Sequence, residues 1–353
     1  MKKIVLTGGG TAGHVTPNIA LLPRLKEEGY EVYYIGSYDG IEKKLISDYD
    51  IPYYGISTGK FRRYFDLKNF SDPFRVIKGY REAKKIMKQI KPDVLFSKGG
   101  FVSTPVVKAA GSLHIPCIIH ESDMTPGLAN KLCISTASKI CCNFPETVSM
   151  MPTGKAVLTG SPIRKELSEG SKEAGLKLCG FTDEKPVIMV IGGSQGAMSV
   201  NQTVREALPK LLNNFQVVHL CGKDKMDNLM LNIEGYKQFE YIKEELKDIF
   251  AMADVVISRA GANAICEILE LNKPNILIPL SIGSRGDQIL NAASFEEQGY
   301  SVVIREEALD PNILTKQVID VFNNREKYIE TMKRSAQYNS IKKIIDLIKE
   351  TSK

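Results

Sequence analysis

The stretch LTGGGTAGHVTPNIALLPRL (residues 6–25) decides the fold, because a short apolar run passes through glycines directly into a helical pattern. Gly8, Gly10 and Gly13 keep the G-x-G-x-x-G spacing of a dinucleotide-binding loop. Glycines after a strand let the backbone approach an anionic group. The helix that follows offers unpaired N–H groups and the positive end of its dipole. The spacing alone does not identify the anion.

A dinucleotide site also needs an acidic side chain at the end of the second strand, to bind ribose hydroxyls. That strand ends IGSYDG (35–40), which puts Gly36 or Ser37 at the position, with Asp39 beyond it. The sequence therefore speaks against a nicotinamide or flavin cofactor. A tight strand–helix turn with no ligand is the plainer alternative. His14 and Thr16-Pro17 follow at once, however, and place an imidazole at the mouth of a turn that needs none.

The same unit recurs along the chain. Candidate strands are KIVLTG, EVYYIG, PYYGIS, DVLFSK, PCIIHE, KICCNF and AVLTG, then VIMVIGG, QVVHLCG, FEYI, DVVISRA, NILIPL and SVVIR. Charged amphipathic stretches such as REAKKIMKQI lie between them, the pattern of parallel sheets built from β-α units. KKIVLTGGGTAGH (2–14) and KPVIMVIGGSQGA (185–197) open the two halves alike. An α/β fold of two doubly wound domains is expected, with the ligand cleft at the carboxyl ends of the strands. The junction falls in TGSPIRKE (159–166), and the final SIKKIIDLIKE (340–350) is a helix.

At 353 residues the chain suits two domains, and no apolar run is long enough to span a bilayer. The opening MKKIVLTGGG starts like a signal peptide but meets glycine after four apolar residues, so it reads as a buried strand. The seven cysteines form no C-x-x-C pair, and most sit in apolar stretches, as free thiols do in a reducing compartment. With four histidines and no Cys/His cluster, a transition-metal site has no support. Residues 1–160 carry 22 Lys/Arg against 14 Asp/Glu, whereas 161–353 carry 25 against 27. The basic character thus belongs to the first half, which should meet something negative.

Further polar loops follow other strands. Ser194 and Gln195 lie between the glycines of IGGSQGAMSVNQ; such a serine can hold a phosphate or merely cap a helix. In DVVISRAGANAICEI, Gly261 opens a turn and Glu267 stands among apolar neighbours. IIHESDMTPGLANKL presents His120, Glu121, Ser122, Asp123 and Asn130; IPLSIGSRGDQILNA presents Ser284, Arg285, Asp287, Gln288 and Asn291. Any one of these is an ordinary turn or cap residue. Five such loops spread over both halves argue for a polar, hydroxyl-rich ligand.

As an ordered set, GGTAGHVTP (9–17), KGGFVSTP (98–105), HESDMTPGLANK (120–131), TGSPIR (159–164), GGSQGA (192–197), SRAGANAICE (258–267) and GDQILNA (286–292) span nearly the whole chain. In this the sequence resembles glycosyltransferase family 28, specifically its peptidoglycan members that add N-acetylglucosamine to a lipid-linked muramyl-pentapeptide. The resemblance implies a GT-B fold: two facing Rossmann-like domains with a deep interdomain cleft. It implies an acceptor- and membrane-binding domain over 1–160 plus a C-terminal helix at about 338–353, and a donor domain over 161–337. It implies UDP-GlcNAc as a substrate, inversion at the anomeric carbon, no cofactor and no metal for donor binding.

By the same resemblance, Glu267 would hold the ribose hydroxyls, and the backbone at Ile242, beside Tyr241, would read the uracil. Ser194, Gln195 and the turn at Ala260 and Gly261 would take the diphosphate, with Arg164 nearby. Gln288 and Asn291, with Asp287, would meet the sugar. Thr11, Ala12 and Gly13 join the donor set and, with His14, face the reaction centre. Gly10, Gly99, Gly100 and Asn130 would meet the acceptor. Some family members have glycine in place of Ala12, and Gln-Asn in place of Ser122-Asp123. The alanine is tolerable if its φ is negative.

The donor already carries a good leaving group, so no acid is needed to protonate it. Helix starts and an arginine suit the charge that develops on the departing diphosphate. The attacking alcohol needs a general base, for which His14 ranks first, Asp123 second and Glu121 third. The lone D-x-D, Asp48-Tyr49-Asp50, is far from the donor motifs and reads as a turn rather than a metal site.

Between Lys60 and Lys91 stand eleven Lys/Arg and three acids, interleaved with aromatics such as Phe61, Tyr64, Phe65, Phe70 and Phe74. Such a segment suits anionic lipid or nucleic acid, or is simply a solvated face. The lipid-linked acceptor favours the membrane, so the expected partners are UDP-GlcNAc, lipid I and an anionic surface, with no nucleic acid. The resemblance also implies further cell-wall and division proteins, and a peripheral place on the cytoplasmic face of the cell membrane. The alternatives are a glycolipid glycosyltransferase, a sugar-nucleotide epimerase and a silent nucleotide-sugar-binding subunit. Intact His14, Glu267 and Gln288 speak against the last.

Overall fold

The computed structural model describes residues 1–59, 72–193, 196–281 and 286–353. Ser194, Gln195, Ser284, Arg285 and the first part of the basic–aromatic segment lie outside the described residues. The chain divides into two compact units, residues 1–164 with 339–353, and residues 165–338.

In the first unit the strands are β1 (Lys2–Thr7), β2 (Tyr30–Ser37), β3 (Tyr53–Ile56), β4 (Val94–Ser97), β5 (Cys117–Glu121), β6 (Lys139–Cys142) and β7 (Ala156–Leu158). They pair in parallel in the order β3-β2-β1-β4-β5-β6-β7. Consecutive side chains of a strand point to opposite faces, and both faces here are covered. Ile4, Leu6 and Phe96 enter one core, while Val5, Leu95 and Ile119 enter the other. The helix Ser340–Thr351 closes the first of these cores with Ile344, Ile345 and Ile348. It is pinned by a bond from Ser340 Oγ to the Ser161 carbonyl and by a 2.7 Å ion pair between Lys349 and Glu28.

The second unit holds β8 (Val187–Ile191), β9 (Gln216–Leu220), β10 (Tyr236–Phe239), β11 (Ala253–Ser258), β12 (Asn275–Leu277) and β13 (Val302–Val303). Their order is β10-β9-β8-β11-β12-β13, again parallel. Ile188 and Val190 face one core, Val187 and Met189 the other. One strand departs from expectation. The sequence reading put it at FEYI (239–242), but pairing with β9 selects Tyr236–Phe239, with Tyr236 and Gln238 turned inward. Tyr241, 65 % exposed, lies past the strand end.

Chain order reverses between β1 and β4 in the first sheet, and between β8 and β11 in the second. At such switch points the loops leaving the two strands diverge and leave room for a ligand. The loops concerned start at Gly8, Lys98, Gly192 and Arg259. Among the described residues no helix is long and apolar enough to cross a membrane. All seven cysteines are free and buried. Burial pushes the Cys117 and Cys141 thiols up to about 12, so they remain protonated and inert.

Candidate active site

The glycine turn of the first unit is built by close approach. A Cβ on Gly8 would stand 2.4 Å from the His14 carbonyl oxygen, and one on Gly100 (φ +83°) would stand 2.1 Å from the Gly9 oxygen. The loops after β1 and β4 are joined by bonds from Lys98 N–H to the Thr7 carbonyl and from Gly9 N–H to the Gly99 carbonyl. Ala12 begins the 3-10 turn Ala12–His14 and is not among the residues with positive φ, which meets the condition set for alanine there.

His14 ends that turn with its ring against Gly100. Its Nδ1 donates to the Lys98 carbonyl at 3.2 Å, so in the neutral ring Nε2 carries the lone pair. The Gly10 N–H, by contrast, is directed inward to Glu42 Oε2 at 3.1 Å. Glu42 is fully buried and also accepts the Ser37 N–H and the Ser37 hydroxyl. Ser37 does end β2, as the sequence indicated. A carboxylate nevertheless reaches that point from the helix Ile41–Ile46, which the sequence reading passed over.

A second omission is Lys98, only 1 % exposed at the end of β4. Its Nζ lies 3.0 Å from His120 Nδ1 and contacts Ser122 Oγ. His120 Nε2 lies 3.0 Å from the Gly160 carbonyl and must donate to it, which leaves Nδ1 to accept from Lys98. Burial, and then the Lys98 charge, hold the His120 pKa well below its ordinary value, so the ring stays neutral.

Glu121, next to His120, is 4 % exposed. Its Oε1 accepts the N–H groups of Ser122 and Asp123, and its Oε2 accepts those of Gly127 and the Asn130 amide. Burial raises its pKa while these bonds oppose the rise. Asn130 also donates to the His120 carbonyl. Glu121 and Asn130 therefore fold the 122–127 loop and hold Asp123 in place. The D-x-D at Asp48–Asp50 lies on an exposed turn.

In the second unit, Gly196 (φ +67°) packs so closely on Cys221 that a Cβ would stand 1.9 Å from its oxygen. Gly261 differs. It precedes the helix Ala262–Glu270 at φ −69°, and a Cβ there would meet nothing within 4 Å. Neither conformation nor packing requires glycine, so the helix start is open to a ligand. Glu267 stands in the next turn, half-buried, and Ile242 is buried just past β10. Asn291 is fully buried and donates to the Ala260 carbonyl, which makes it a strut under that turn. Gln288 accepts the Leu280 N–H through Oε1.

Arg259 ties this end of the sheet together. It donates to the carbonyls of Ile278 and Pro279 and pairs with Glu306, which also accepts from Ser199 and Ser281. Burial alone would raise the Glu306 pKa, but the bonds from Arg259, Ser199 and Ser281 outweigh it and hold the carboxyl at about 2. In the first unit, Arg164 keeps a buried Nε with no partner among the described residues. No group of three or more His, Cys, Asp or Glu among the described residues is placed to hold a metal.

Comparison with known proteins agrees with this architecture. Residues 4–142 match the glycosyltransferase family 28 N-terminal domain, and residues 187–348 match its C-terminal domain. The chain is 66 % identical, over 100 % of both sequences, to a protein of Lachnospira eligens named UDP-N-acetylglucosamine–N-acetylmuramyl-(pentapeptide) pyrophosphoryl-undecaprenol N-acetylglucosamine transferase. It is 64 % identical, over 99 % of both, to the protein of that name from Lachnoclostridium phytofermentans. Among solved structures it is similar to Acinetobacter baumannii MurG, with a TM-score of 0.79 and 25 % identity over 99 % of this chain and 100 % of the other. Two parallel-sheet α/β units with these matches make a GT-B protein, and the chain belongs to glycosyltransferase family 28.

Proposed function

We propose that this protein moves N-acetylglucosamine from UDP-GlcNAc to the C4 hydroxyl of the muramyl sugar in undecaprenyl-diphosphate-muramyl-pentapeptide, with inversion. The observation that carries this reading is full-length identity of 66 % to a transferase of that name. The geometry at His14 supplies its chemistry. The muramyl O4 attacks the anomeric carbon from the face opposite the diphosphate, the C1–O bond to UDP breaks, and the hydroxyl proton passes to His14 Nε2. The Lys98 carbonyl fixes the tautomer that makes this transfer possible. Asp123 is the second base candidate. Glu121, with four N–H groups on its carboxylate, is a positioning residue for the loop that carries Asp123.

In this reading the second unit binds the donor. The open start of the helix Ala262–Glu270 takes the diphosphate and stabilises its developing charge, and Glu267 holds the ribose. The Ile242 backbone reads the uracil, Gln288 meets the sugar, and Asn291 supports the Ala260–Gly261 turn. Ser194 and Gln195 keep their assignment to the diphosphate. Arg164 keeps its assignment near the donor. The first unit receives the acceptor around Thr11–His14 and Gly99–Gly100. Because the Gly10 N–H is directed to Glu42, Gly10 acts through the shape of the turn rather than as a donor.

The helix Asp72–Ile90 supports a peripheral seat on an anionic membrane. Its inner face buries Gly79, Ala83, Met87 and Ile90, while Phe74 and Ile77 are 75 % and 51 % exposed beside Arg81, Lys85 and Lys88. We place this seat on the cytoplasmic side, where the donor nucleotide is available. The test is label transfer from UDP-GlcNAc, with and without the undecaprenyl-linked muramyl-pentapeptide. Labelled disaccharide lipid only in its presence is expected. Transfer to diacylglycerol instead, or UDP-N-acetylmannosamine formed without acceptor, would overturn the reading.

A further inference from the structure

A cavity of about 510 Å3 opens at the carboxyl edge of the first sheet, beside the glycine turn. Its floor is the exit of β2 and β3, with Ser37, Ser57 and Thr58. One wall is the start of the helix Asp72–Ile90, with Arg75 and Lys78, and Phe101 forms the side toward the turn. None of these residues has a role in the chemistry described above.

Two features make the cavity part of the same machinery. Buried Glu42 bonds both Ser37, in the floor, and the Gly10 N–H, in the turn, so the two move as one unit. Phe101 follows Gly100, against which the His14 ring rests, and a Cβ on Gly10 would stand 2.4 Å from the Phe101 ring. A group bound next to His14 therefore borders the cavity.

The lining carries a chemical signature. Arg75 is exposed and forms no ion pair among the described residues, and Lys78 makes a long 3.8 Å pair with Glu82 while its side chain stays 67 % exposed. Both cations remain accessible to a further carboxylate. Ser57 and Thr58 offer hydroxyls to amide groups, Phe101 offers apolar surface to a small side chain, and Asp39 suits an N–H donor. Cations at one end and mixed hydroxyl and apolar walls fit an extended peptide with a free carboxylate.

We infer that this cavity binds the peptide branch of the acceptor, with its terminal carboxylate on Arg75 and Lys78. The inference rests on the transferase reading above. In a muramyl sugar the peptide hangs from the carbon next to the one whose hydroxyl attacks. An O4 held at His14 thus directs the peptide to a neighbouring surface, and the cavity beside Phe101 is such a surface. The site selects acceptors by their peptide without touching the reacting atoms.

The experiment uses the full chain and water-soluble, short-lipid pyrophosphoryl-muramyl acceptors, free of vesicles so that lipid binding by the same helix plays no part. One acceptor carries the pentapeptide, one a single amino acid, and one the pentapeptide ending in a carboxamide. For the double variant Arg75→Gln/Lys78→Gln, KM for the pentapeptide acceptor should rise roughly tenfold, as expected for lost charge-assisted bonds. KM for the single-residue acceptor and for UDP-GlcNAc should not change. The wild-type protein should show a similar loss with the carboxamide. Equal changes for long and short acceptors, or no change for either, would overturn the inference. A wild-type protein that labels none of the acceptors would overturn the transferase reading instead.

Discussion

Lys98 Nζ and His120 Nδ1 lie 3.0 Å apart at the carboxyl ends of adjacent strands, and neither side chain reaches solvent. The ammonium donates to the ring and contacts Ser122 Oγ, so one cation links β4, β5 and the loop that carries Asp123. Lys98→Met keeps the length of the chain and removes the donor. It should lower unfolding free energy by about 2 kcal/mol, since buried polar partners lose a charge-assisted bond. Denaturant unfolding measures this. A variant as stable as the wild type would show that the link is not structural.

His14→Gln removes the base but leaves an amide of similar reach. Loss of general-base catalysis lowers kcat by roughly 10²- to 10⁴-fold. KM for UDP-GlcNAc should hold, because His14 makes no donor contact in the proposed arrangement. Near-normal turnover would move the role to Asp123.

How much of this was legible in the sequence varies with the kind of residue. Strands such as KIVLT and VIMVI were legible because both faces of a parallel strand are buried, so apolar residues run without interruption. β10 was displaced because its inward residues are Tyr236 and Gln238, and an inward glutamine looks like a loop residue. Glu42 and Lys98 were missed for a similar reason. A charged residue on a short helix or at a strand end reads as solvated, and only the folded chain shows that it turns inward. For Lys98 the available signal was its place between an apolar strand and two glycines. Glu121 was legible as a site residue, but its role depends on four N–H groups brought together by the loop itself.

The exposed face of the helix Asp72–Ile90 makes a prediction about membranes. Wild-type protein should bind vesicles containing anionic phospholipid at low salt and release at high salt, as screening shortens the reach of its lysines. Phe74→Ser/Ile77→Ser removes the apolar part of the contact and should weaken partitioning roughly tenfold. Sedimentation with vesicles reads both effects. No binding of the wild type at low salt would remove the membrane assignment from this helix.

Two groups of the second unit, buried His219 and half-buried Glu306, contribute to its acid sensitivity. His219 Nε2 donates to Asn201 Oδ1 at 3.0 Å, and its Nδ1 accepts from the Tyr236 hydroxyl at 2.9 Å, so the ring is held neutral. Burial, and then the Arg205 charge, push its pKa down to about 3. An unfolded histidine takes a proton near pH ~6.5, so the unfolded state binds protons first and stability falls as pH drops from there toward 3. Glu306, held at about 2 against an ordinary 4.5, adds stability that is complete above 4.5 and lost toward 2. Unfolding midpoints should therefore begin to decline below about pH 6.5 and fall more steeply below 4.5, where both groups contribute. By NMR, the His219 ring should show no titration between pH 8 and 5; a midpoint near 6.5 would contradict the assignment.

Gly100 and Gly261 offer a matched pair that separates folding from binding. At Gly100, φ is +83° and a Cβ would fall 2.1 Å from a backbone oxygen. Gly100→Ala should therefore cost about 2 kcal/mol or more of stability, through strain and displacement of the turn. At Gly261, φ is −69° and no atom lies within 4 Å of a new Cβ, so alanine meets no obstacle in the protein. Its cost as a helix cap is about 1 kcal/mol or less. If the diphosphate approaches the open helix start, the added methyl group stands in its way. Gly261→Ala should then raise KM for UDP-GlcNAc severalfold while its unfolding curve stays close to the wild type. Equal donor KM in the two proteins would mean that the diphosphate binds elsewhere, because a methyl group at a helix start that holds the diphosphate would stand in its way.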